Sequence, residues 1–283
     1  AGEAEPATEL PGSWPCFRGE DRDGVAEGSV PLLRDWPADG PEVLWSLGVG
    51  DGYAGAAVDR GRLWLLDYDF DRKADVLRCL SLADGGEIWR RWYSNPIRKQ
   101  HGLSRTVPAV AGRFVVSLGP SCHVLCCEAD TGEALWSIDL VEEYGAEVPE
   151  WYAGQCPLID DGRVILAPGG EALMIAVDCA TGEVLWRTPN PNGWKMTHAS
   201  IAPATIAGRK MYLYASTGAA VGVDAATGEL LWADTSWRMR GPALCATPVP
   251  CGDGRILLST GYRGGSKMIR VTRDGDGFQV ETL

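Results

Sequence analysis

The chain has 283 residues, 45% of them hydrophobic, and a formal net charge of −12. That length and apolar content suffice for a large core in one or two domains, and no apolar run is long enough to span a membrane. The acidic balance disfavours nucleic acid or anionic lipid as the main partner, because their phosphates would be repelled.

The N-terminal part, residues 1–41, is predicted to be a leader followed by a distinct opening motif. Its first stretch, AGEAEPATELPGSW, has no basic segment followed by an apolar one, so it shows no targeting peptide. Its composition is typical of a flexible leader. It fits a mature end left after signal removal, and a cytosolic protein could begin in the same way.

An internal repeat organises the rest of the chain, residues 42–283. A Gly-Arg pair recurs at intervals of 51, 50, 46 and 46 residues. Its glycines are Gly61, Gly112, Gly162, Gly208 and Gly254. A Trp follows each of the middle three glycines by 24 positions, whereas in the first unit the distance is 28. In the fifth unit an aromatic residue, Phe278, stands 24 positions after the glycine. The period is therefore present in all five units.

Each unit reads as four short strands separated by turns, and four strands in 46–51 residues are typical of a propeller blade. The predicted fold class is all-β, a β-propeller of four-stranded blades with five recognisable blades. The blades are predicted at approximately 50–89, 101–136, 154–186, 200–232 and 244–283. The segment EVLWSL at 42–47 is predicted to be an extra outer strand.

A nine-residue motif recurs near the end of three units, as EADTGEALW, DCATGEVLW and DAATGELLW. Its Gly supplies the positive φ of the turn into the fourth strand, and its Trp can bury an indole between adjacent blades. The tryptophans predicted to be such packing anchors are Trp45, Trp89, Trp136, Trp186 and Trp232.

The pattern A-x-D-x-x-T-G-x-x-x-W resembles the tryptophan-docking motif of the pyrroloquinoline-quinone-like (PQQ-like) propeller repeat family. That family includes quinoprotein alcohol dehydrogenases and cofactor-free scaffolds, such as the propeller lipoprotein of outer-membrane protein assembly. The segments WPCFRGEDRDGVAEG (14–28), EYGAEVPEW (143–151) and AVGVDAATGELLW (220–232) are similar to secreted PQQ-like repeat proteins of planctomycete-type bacteria. The resemblance covers nearly the whole chain.

The resemblance implies a ring of seven or eight blades, closed by an N-terminal strand that completes the last blade. Here the fifth unit carries its own fourth strand, FQVETL, so the N-terminal strand EVLWSL has no blade to complete. Compared with the ring that the resemblance implies, one closing strand is in excess and about three blades are lacking. Three explanations remain open: the missing blades belong to a part of the protein beyond this sequence, another chain supplies them, or five blades close in an unusual way. We favour an incomplete ring.

The resemblance also raises the alternative of a PQQ-dependent oxidoreductase. Such enzymes hold the quinone between a Trp and a disulfide of adjacent cysteines, with Ca²⁺ and a catalytic Asp. Cys126-Cys127 is an adjacent pair, but it lies in the middle of a predicted strand, where the two side chains point to opposite faces. No calcium constellation of the family is recognisable. We therefore assign no catalytic residue and no cofactor.

Other metal motifs are incomplete. DYDFDRKAD at 67–75 is similar to the start of an EF-hand loop, yet the positions that need Gly and Glu hold Arg72 and Arg78. A solvated acidic loop is the better interpretation. Nine cysteines form no CxxC pair and the three histidines are separated, so no zinc site is predicted.

The linkers between blades carry the candidate site. Each linker crosses one face of the disc toward the axis and contains an additional Trp. The predicted ligand-binding residues are Trp92, His101, Arg105, Trp151, Tyr152, Gln155, Trp194, His198 and Trp237, with Tyr93 and Lys195 beside them. Aromatic rings with a few polar groups converging on a funnel are what a binding surface needs. Ordinary packing over the tops of the blades is the alternative.

Together these observations predict a non-catalytic binding or assembly module outside the cytoplasm, periplasmic or secreted, with its signal peptide removed. Its ligand would be a protein segment, a glycan or a small molecule held at the axial funnel. The alternative function is a quinoprotein oxidoreductase or a degenerate relative of one.

Overall fold

The computed structural model describes residues 12–26 and 34–283, which form five four-stranded antiparallel sheets. In chain order the strands of sheets one and two are β1 (Ala57–Asp59), β2 (Arg62–Asp69), β3 (Ala74–Ser81), β4 (Glu87–Ser94), β5 (Ala109–Ala111), β6 (Phe114–Leu118), β7 (His123–Glu128) and β8 (Ala134–Asp139). Those of sheets three to five are β9 (Leu158–Asp160), β10 (Arg163–Leu166), β11 (Ala172–Asp178), β12 (Val184–Pro189), β13 (Ala202–Ile206), β14 (Arg209–Ala215), β15 (Ala220–Asp224), β16 (Leu230–Asp234), β17 (Val249–Pro250), β18 (Arg255–Thr260), β19 (Gly265–Asp274) and β20 (Gly277–Thr282). The prediction of five four-stranded blades is confirmed.

The strands of every sheet follow one another in chain order, each antiparallel to the last. Two turns therefore lie at one end of each sheet, here called the turn end: the turn between the first and second strands, and the turn between the third and fourth. The remaining turn and the connections between sheets lie at the other, the linker end. A short helix, α1 (Leu140–Tyr144), occupies the linker end after β8.

The cores lie between the sheets. Four clusters of buried side chains fill the spaces between successive blades, and the central strands of the middle three blades are buried on both faces. In β11, for example, six successive residues from Ala172 to Val177 are buried. A strand enclosed by a neighbouring sheet on each side needs continuous apolar character, which explains the buried runs of the middle blades. In the first and fifth blades, β2 and β18 alternate between buried and partly buried residues.

Three of the repeated tryptophans, Trp89, Trp136 and Trp186, dock on the turn glycines of the next blade. Trp136 of β8 lies against Gly182, and its Nε1 donates to the carbonyl oxygen of Cys179 at 2.8 Å. Trp89 contacts Gly132 in the same way, with its Nε1 2.9 Å from the carbonyl oxygen of Ala129. Trp186 contacts Gly228 of the fourth blade, whereas Trp232 lies against Gly222 of its own blade. The docked rings therefore link the first four blades in succession, and Trp232 is buried in the core between the fourth and fifth.

Trp45 repeats this contact on the first blade. Its indole lies against Gly85 and its Nε1 donates to the carbonyl oxygen of Leu82 at 2.9 Å. Residues 42–47 nevertheless pair with no strand among the described residues, so they have the docking geometry of an outer strand without belonging to a sheet.

The opening motif lies inside the fan of blades. Trp14 forms an antiparallel bridge with Val58 of β1, and the carbonyl oxygen of Pro15 accepts the N–H of Val110 at 2.8 Å. Arg22 donates to the carbonyl oxygen of Ile159 at 2.6 Å. The motif thus joins the innermost strands of three blades. The predicted leader falls partly on residues 1–11 and 27–33, which lie outside the described residues.

Within the described parts of the chain, no helix has the length and apolar character needed to cross a membrane.

Candidate functional site

A chain of hydrogen bonds near the axis positions the linkers. In the second, third and fourth blades, the residue two places before the inner strand donates its N–H to the side chain of the equivalent residue in the next blade. The bonds run from Val107 to the sulfur of Cys156 at 3.3 Å, from Cys156 to the hydroxyl of Ser200 at 3.0 Å, and from Ser200 to the hydroxyl of Thr247 at 3.3 Å. The linkers of four blades are therefore held in register around the axis.

The structure brings part of the predicted site together at the linker end. Arg105 is the centre of this group. Its Nε donates to the carbonyl oxygen of Trp151 at 2.6 Å, and its Nη2 donates to the carbonyl oxygen of His101. Its guanidinium also stacks over the ring of Tyr53, 5.4 Å from the centroid. One side chain from the second blade's entry thus fastens the linkers on both sides of that blade.

Aromatic rings extend from this clamp. The ring of Trp151 lies edge-on to His101 with centroids 5.5 Å apart, and its centroid is 6.4 Å from that of Tyr262. Tyr262 lies in the β18–β19 turn of the fifth blade and is 53% exposed, while Tyr53 is 71% exposed. We call the residues Tyr53, His101, Arg105, Trp151 and Tyr262 the axial patch.

Five of the thirteen non-Gly residues with positive φ in the described chain lie in or beside the axial patch. His101, Trp151, Tyr152 and Tyr262 have φ values of 47°, 65°, 72° and 53°, and Arg263 has 64°. Residues other than Gly rarely adopt this left-handed backbone conformation. Residues strained in this way are often found at binding sites, where the surrounding structure holds them. Tyr152 is held by its hydroxyl, which donates to the carbonyl oxygen of Arg98 at 2.6 Å.

Two predicted residues support the patch from below. Gln155 is fully buried, with its side-chain oxygen accepting the N–H of Ala167 at 2.9 Å. His198 is 8% exposed, and its Nε2 lies 2.9 Å from the carbonyl oxygen of Glu150. Burial lowers the pKa of His198, so its ring is neutral at physiological pH. These side chains position the linkers and are not themselves exposed to a ligand.

The other three predicted tryptophans lie elsewhere. Trp92 belongs to strand β4 rather than to a linker, and it is 57% exposed on the outer part of the first blade. Trp194 is half-buried against Gly218, and Trp237 is buried in the core between the fourth and fifth blades. Trp92, Trp151, Trp194 and Trp237 follow the repeated Trp of their units by 3, 15, 8 and 5 residues, and nothing in this spacing indicates which of them lies in the axial patch.

Two patch residues were missed by the sequence analysis. Tyr53 precedes the first inner strand, and Tyr262 lies in a turn of the last blade. The repeat itself contained a signal for Tyr262, because the turn between the second and third strands of every blade must lie at the linker end. Its approach to Trp151 depended on the tertiary structure.

Charge is distributed unequally between the two ends. Between β1 and β20, the connections at the linker end contain nine Lys and Arg and six Asp and Glu, whereas those at the turn end contain two and eight. The basic residues at the linker end are Arg72, Lys73, Arg98, Lys99, Arg105, Lys195, Arg238, Arg240 and Arg263. A chain that is acidic overall thus presents a comparatively basic face around the axial patch.

The adjacent cysteines do not fit a quinone site. Cys126 faces the core between the second and third blades, and Cys127 faces the core between the first and second. Both are fully buried with free thiols, so they cannot form a disulfide over a ligand on the axis. No group of three or more His, Cys, Asp or Glu side chains suited to a metal ion occurs in the described ranges.

The acidic segment 67–75 is divided among different structures. Asp67 pairs with Arg78 at 3.1 Å, and Asp69 pairs with Arg72 at 2.8 Å. Asp75 is fully buried between the first two blades, where Asn95 donates to its Oδ2 at 2.8 Å. Burial raises the pKa of Asp75 to about 6. The carboxylates therefore do not converge on a common point.

Five four-stranded sheets joined by docked tryptophans define a β-propeller. Residues 72–272 match the family model described as outer membrane protein assembly factor BamB. The chain therefore belongs to this family of PQQ-like β-propellers, and the predicted family is confirmed. No curated protein matches the sequence.

Solved propellers share the fold at low sequence identity. BamB from Moraxella catarrhalis is 14% identical with a TM-score of 0.57, and the match covers 84% of this chain and 64% of that one. Quinohemoprotein alcohol dehydrogenase from Comamonas testosteroni is 15% identical with a TM-score of 0.63, covering 98% and 50%. The Cps50 (Swd1) propeller domain of Myceliophteria thermophila is 14% identical with a TM-score of 0.52, covering 83% and 72%. This chain thus spans less than two thirds of the length of the first two proteins.

Proposed function

We propose that the protein is a non-catalytic binding module that holds a partner at the axial patch. The observation that carries this proposal is the placement of Trp151 between His101 and Tyr262, with its backbone held by Arg105. Aromatic residues and Arg are the types that contribute most to binding energy at protein interfaces. A patch held by strained backbone is also pre-organised, which reduces the entropy lost on binding.

The partner that best matches this surface is a protein segment carrying acidic and aromatic side chains. The excess of basic residues at the linker end favours an anionic partner, and the partly exposed rings of Tyr53 and Tyr262 favour aromatic contact. A glycan or a small molecule, the other ligands expected from the sequence, offers less surface to a patch that spans linkers from several blades.

Membership of a family described by an outer-membrane assembly factor supports an extracytoplasmic location, periplasmic or secreted, in a bacterium. We also propose that further β-structure packs on the first blade, supplied by more of the same protein or by another chain. Trp45 supports this, because it docks as the Trp of a preceding blade would. The neighbouring Val43 and Leu44 are 76% and 67% exposed.

The proposal can be tested with phage-displayed dodecapeptides selected on the full chain. We expect the selected peptides to be rich in Asp, Glu and aromatic residues. They should bind Tyr262→Ala and Arg105→Gln at least tenfold more weakly than the wild type, since each change removes a contact of hot-spot type. Trp36→Ala is the matched control, because Trp36 is 54% exposed and lies outside the axial patch.

Selected peptides that bind Tyr262→Ala and Arg105→Gln as well as the wild type would refute the proposal. The oxidoreductase alternative is addressed by adding PQQ and Ca²⁺ and following dye reduction with a primary alcohol. Activity above that of the protein alone would favour the alternative.

A further inference from the structure

A slot opens between the first two blades, away from the axial patch. It has a volume of about 290 Å³, close to the lower end of the range for ligand pockets, which is about 300 Å³. Arg91 and Tyr93 of β4 form one wall, and Leu125, Ala134 and Ser137 of the second blade form the other. We call it the blade 1–2 slot.

In the next two interfaces between blades, a buried side chain occupies the position that corresponds to the slot. This side chain belongs to the residue two positions after the docked Trp. After Trp136 this position holds Ile138, which is buried in the core. After Trp186 it holds Thr188, whose buried hydroxyl donates to the carbonyl oxygen of Gly228 at 2.8 Å. After Trp89 the position holds Arg91, which is exposed in the slot. The first interface is therefore open where the others are closed.

In the interface of the fourth and fifth blades, the residue at this position is charged and has a partner of opposite charge. Asp234 follows Trp232 by two residues, is 9% exposed, and pairs with Lys267 of the next blade at 2.6 Å. Arg91 has no such partner among the residues the structure describes, where its only hydrogen bond runs to the carbonyl oxygen of Arg90. The first interface thus contains a cation without the opposite carboxylate.

The nearest carboxylate of the slot is already engaged. The Oδ2 of Asp139 lies 2.9 Å from the Nε2 of His123, and its Oδ1 accepts the N–H groups of Val141 and Glu142 at the start of α1. The Nδ1 of His123 is buried and has no hydrogen-bond partner in the described chain. A buried nitrogen in this state is costly unless a ligand or water satisfies it.

Apolar and aromatic side chains and two serines, Ser94 and Ser137, complete the lining of the slot. The ring of Tyr93 lies 5.3 Å from that of His123, and Leu125 forms the floor at 8% exposure. Such walls suit a flat hydrocarbon or aromatic body, while the guanidinium suits a carboxylate, with which Arg can form two parallel hydrogen bonds.

We propose that the blade 1–2 slot is a binding site for a small carboxylate with an apolar body, of the aryl-alkanoate class. The carboxylate pairs with Arg91, beside the hydroxyl of Ser137. The apolar body packs between Tyr93 and Leu125. This site is independent of the axial patch and of the function proposed for it.

The test uses 3-phenylpropionate and its neutral analogue 3-phenylpropan-1-ol, titrated into the full chain by calorimetry and by ligand-observed NMR. We expect the acid to bind and the alcohol to bind at least tenfold more weakly, because the alcohol lacks the charge-assisted pair. Arg91→Gln should reduce binding of the acid by a similar factor and leave that of the alcohol unchanged.

Two further variants separate the slot from other surfaces. Ala134→Phe fills the slot from an exposed position without removing a polar group, and we expect it to abolish binding of the acid. Arg90→Gln is the matched control, because Arg90 is the adjacent residue on the strand, pairs with Glu87, and points to the opposite face of the sheet. No binding of 3-phenylpropionate to the wild type, or equal binding to Arg91→Gln, would overturn the proposal.

Discussion

The indole of Trp136 lies on the α-carbon of Gly182 in the next blade, so closely that a Cβ built on this glycine would be 2.7 Å from the ring. The indole Nε1 completes the contact by donating to Cys179 three residues earlier. Two requirements therefore meet at one position: a positive φ for the turn, and an empty side-chain site for the ring. Their contributions can be separated, because Gly162 in the same blade has the first requirement without the second.

Gly182→Ala is expected to destabilise the protein more than Gly162→Ala. The φ values are 75° and 72°, so the strain of a left-handed Ala, about 1 kcal/mol, is common to both. Gly162 has no atom within 4 Å of the built Cβ, whereas the new methyl at Gly182 must displace the indole, which we expect to cost about 2 kcal/mol more. Urea unfolding followed by circular dichroism measures the difference, and equal losses would show that the ring does not need the glycine.

The buried carboxyl of Asp75 should make stability depend on pH. Burial raises its pKa from 3.8 to about 6, so the folded protein holds this proton more tightly than the unfolded chain does. The contribution is complete below pH 4 and is lost as the pH rises through 6. A shift of about two units corresponds to about 3 kcal/mol.

Asp75→Asn removes this titration, because the amide stays neutral and its oxygen can still accept from Asn95. Between pH 4.5 and 7.5 the free energy of unfolding of the wild type should therefore fall relative to that of the variant. Parallel curves for Asp75→Asn and the wild type would mean that the carboxyl is not desolvated.

Native thiol labelling should distinguish two of the nine cysteines from the other seven. Cys245 is exposed and Cys251 is partly exposed, and the remaining seven are buried. Burial raises the pKa of Cys79, Cys122, Cys127 and Cys179 to about 12, which suppresses the reactive thiolate. At pH 8 we expect iodoacetamide to modify Cys245 and Cys251 within minutes and the others after unfolding, as read by peptide mass spectrometry. Rapid native labelling of Cys126 or Cys127 would contradict their burial on opposite faces.

Much of the fold could be predicted from the sequence because propeller blades are local units. In the third blade, the residues from Gly162 to Trp186 include two turns and the start of the outer strand. In the described chain the outer strand pairs only with β11 of the same blade, so its register depends on residues nearby in the sequence. The docking of Trp45 on the first blade was predictable from the same motif. Its failure to join a sheet was not, because pairing depends on strands outside its own unit.

The sequence by itself determined the blades, the turns and the tryptophan anchors, since these follow from residue types at fixed short separations. Only the tertiary structure decided which linker tryptophans reach the axis, because Trp151, Trp194 and Trp237 stand at different distances from the repeated Trp of their units and differ in what neighbouring blades leave open. It also decided that Tyr262 meets Trp151 and that Arg91 faces a slot in which no described carboxylate pairs with it. Both depend on the angle between blades, and that angle is set by packing over the whole fan rather than by any one repeat.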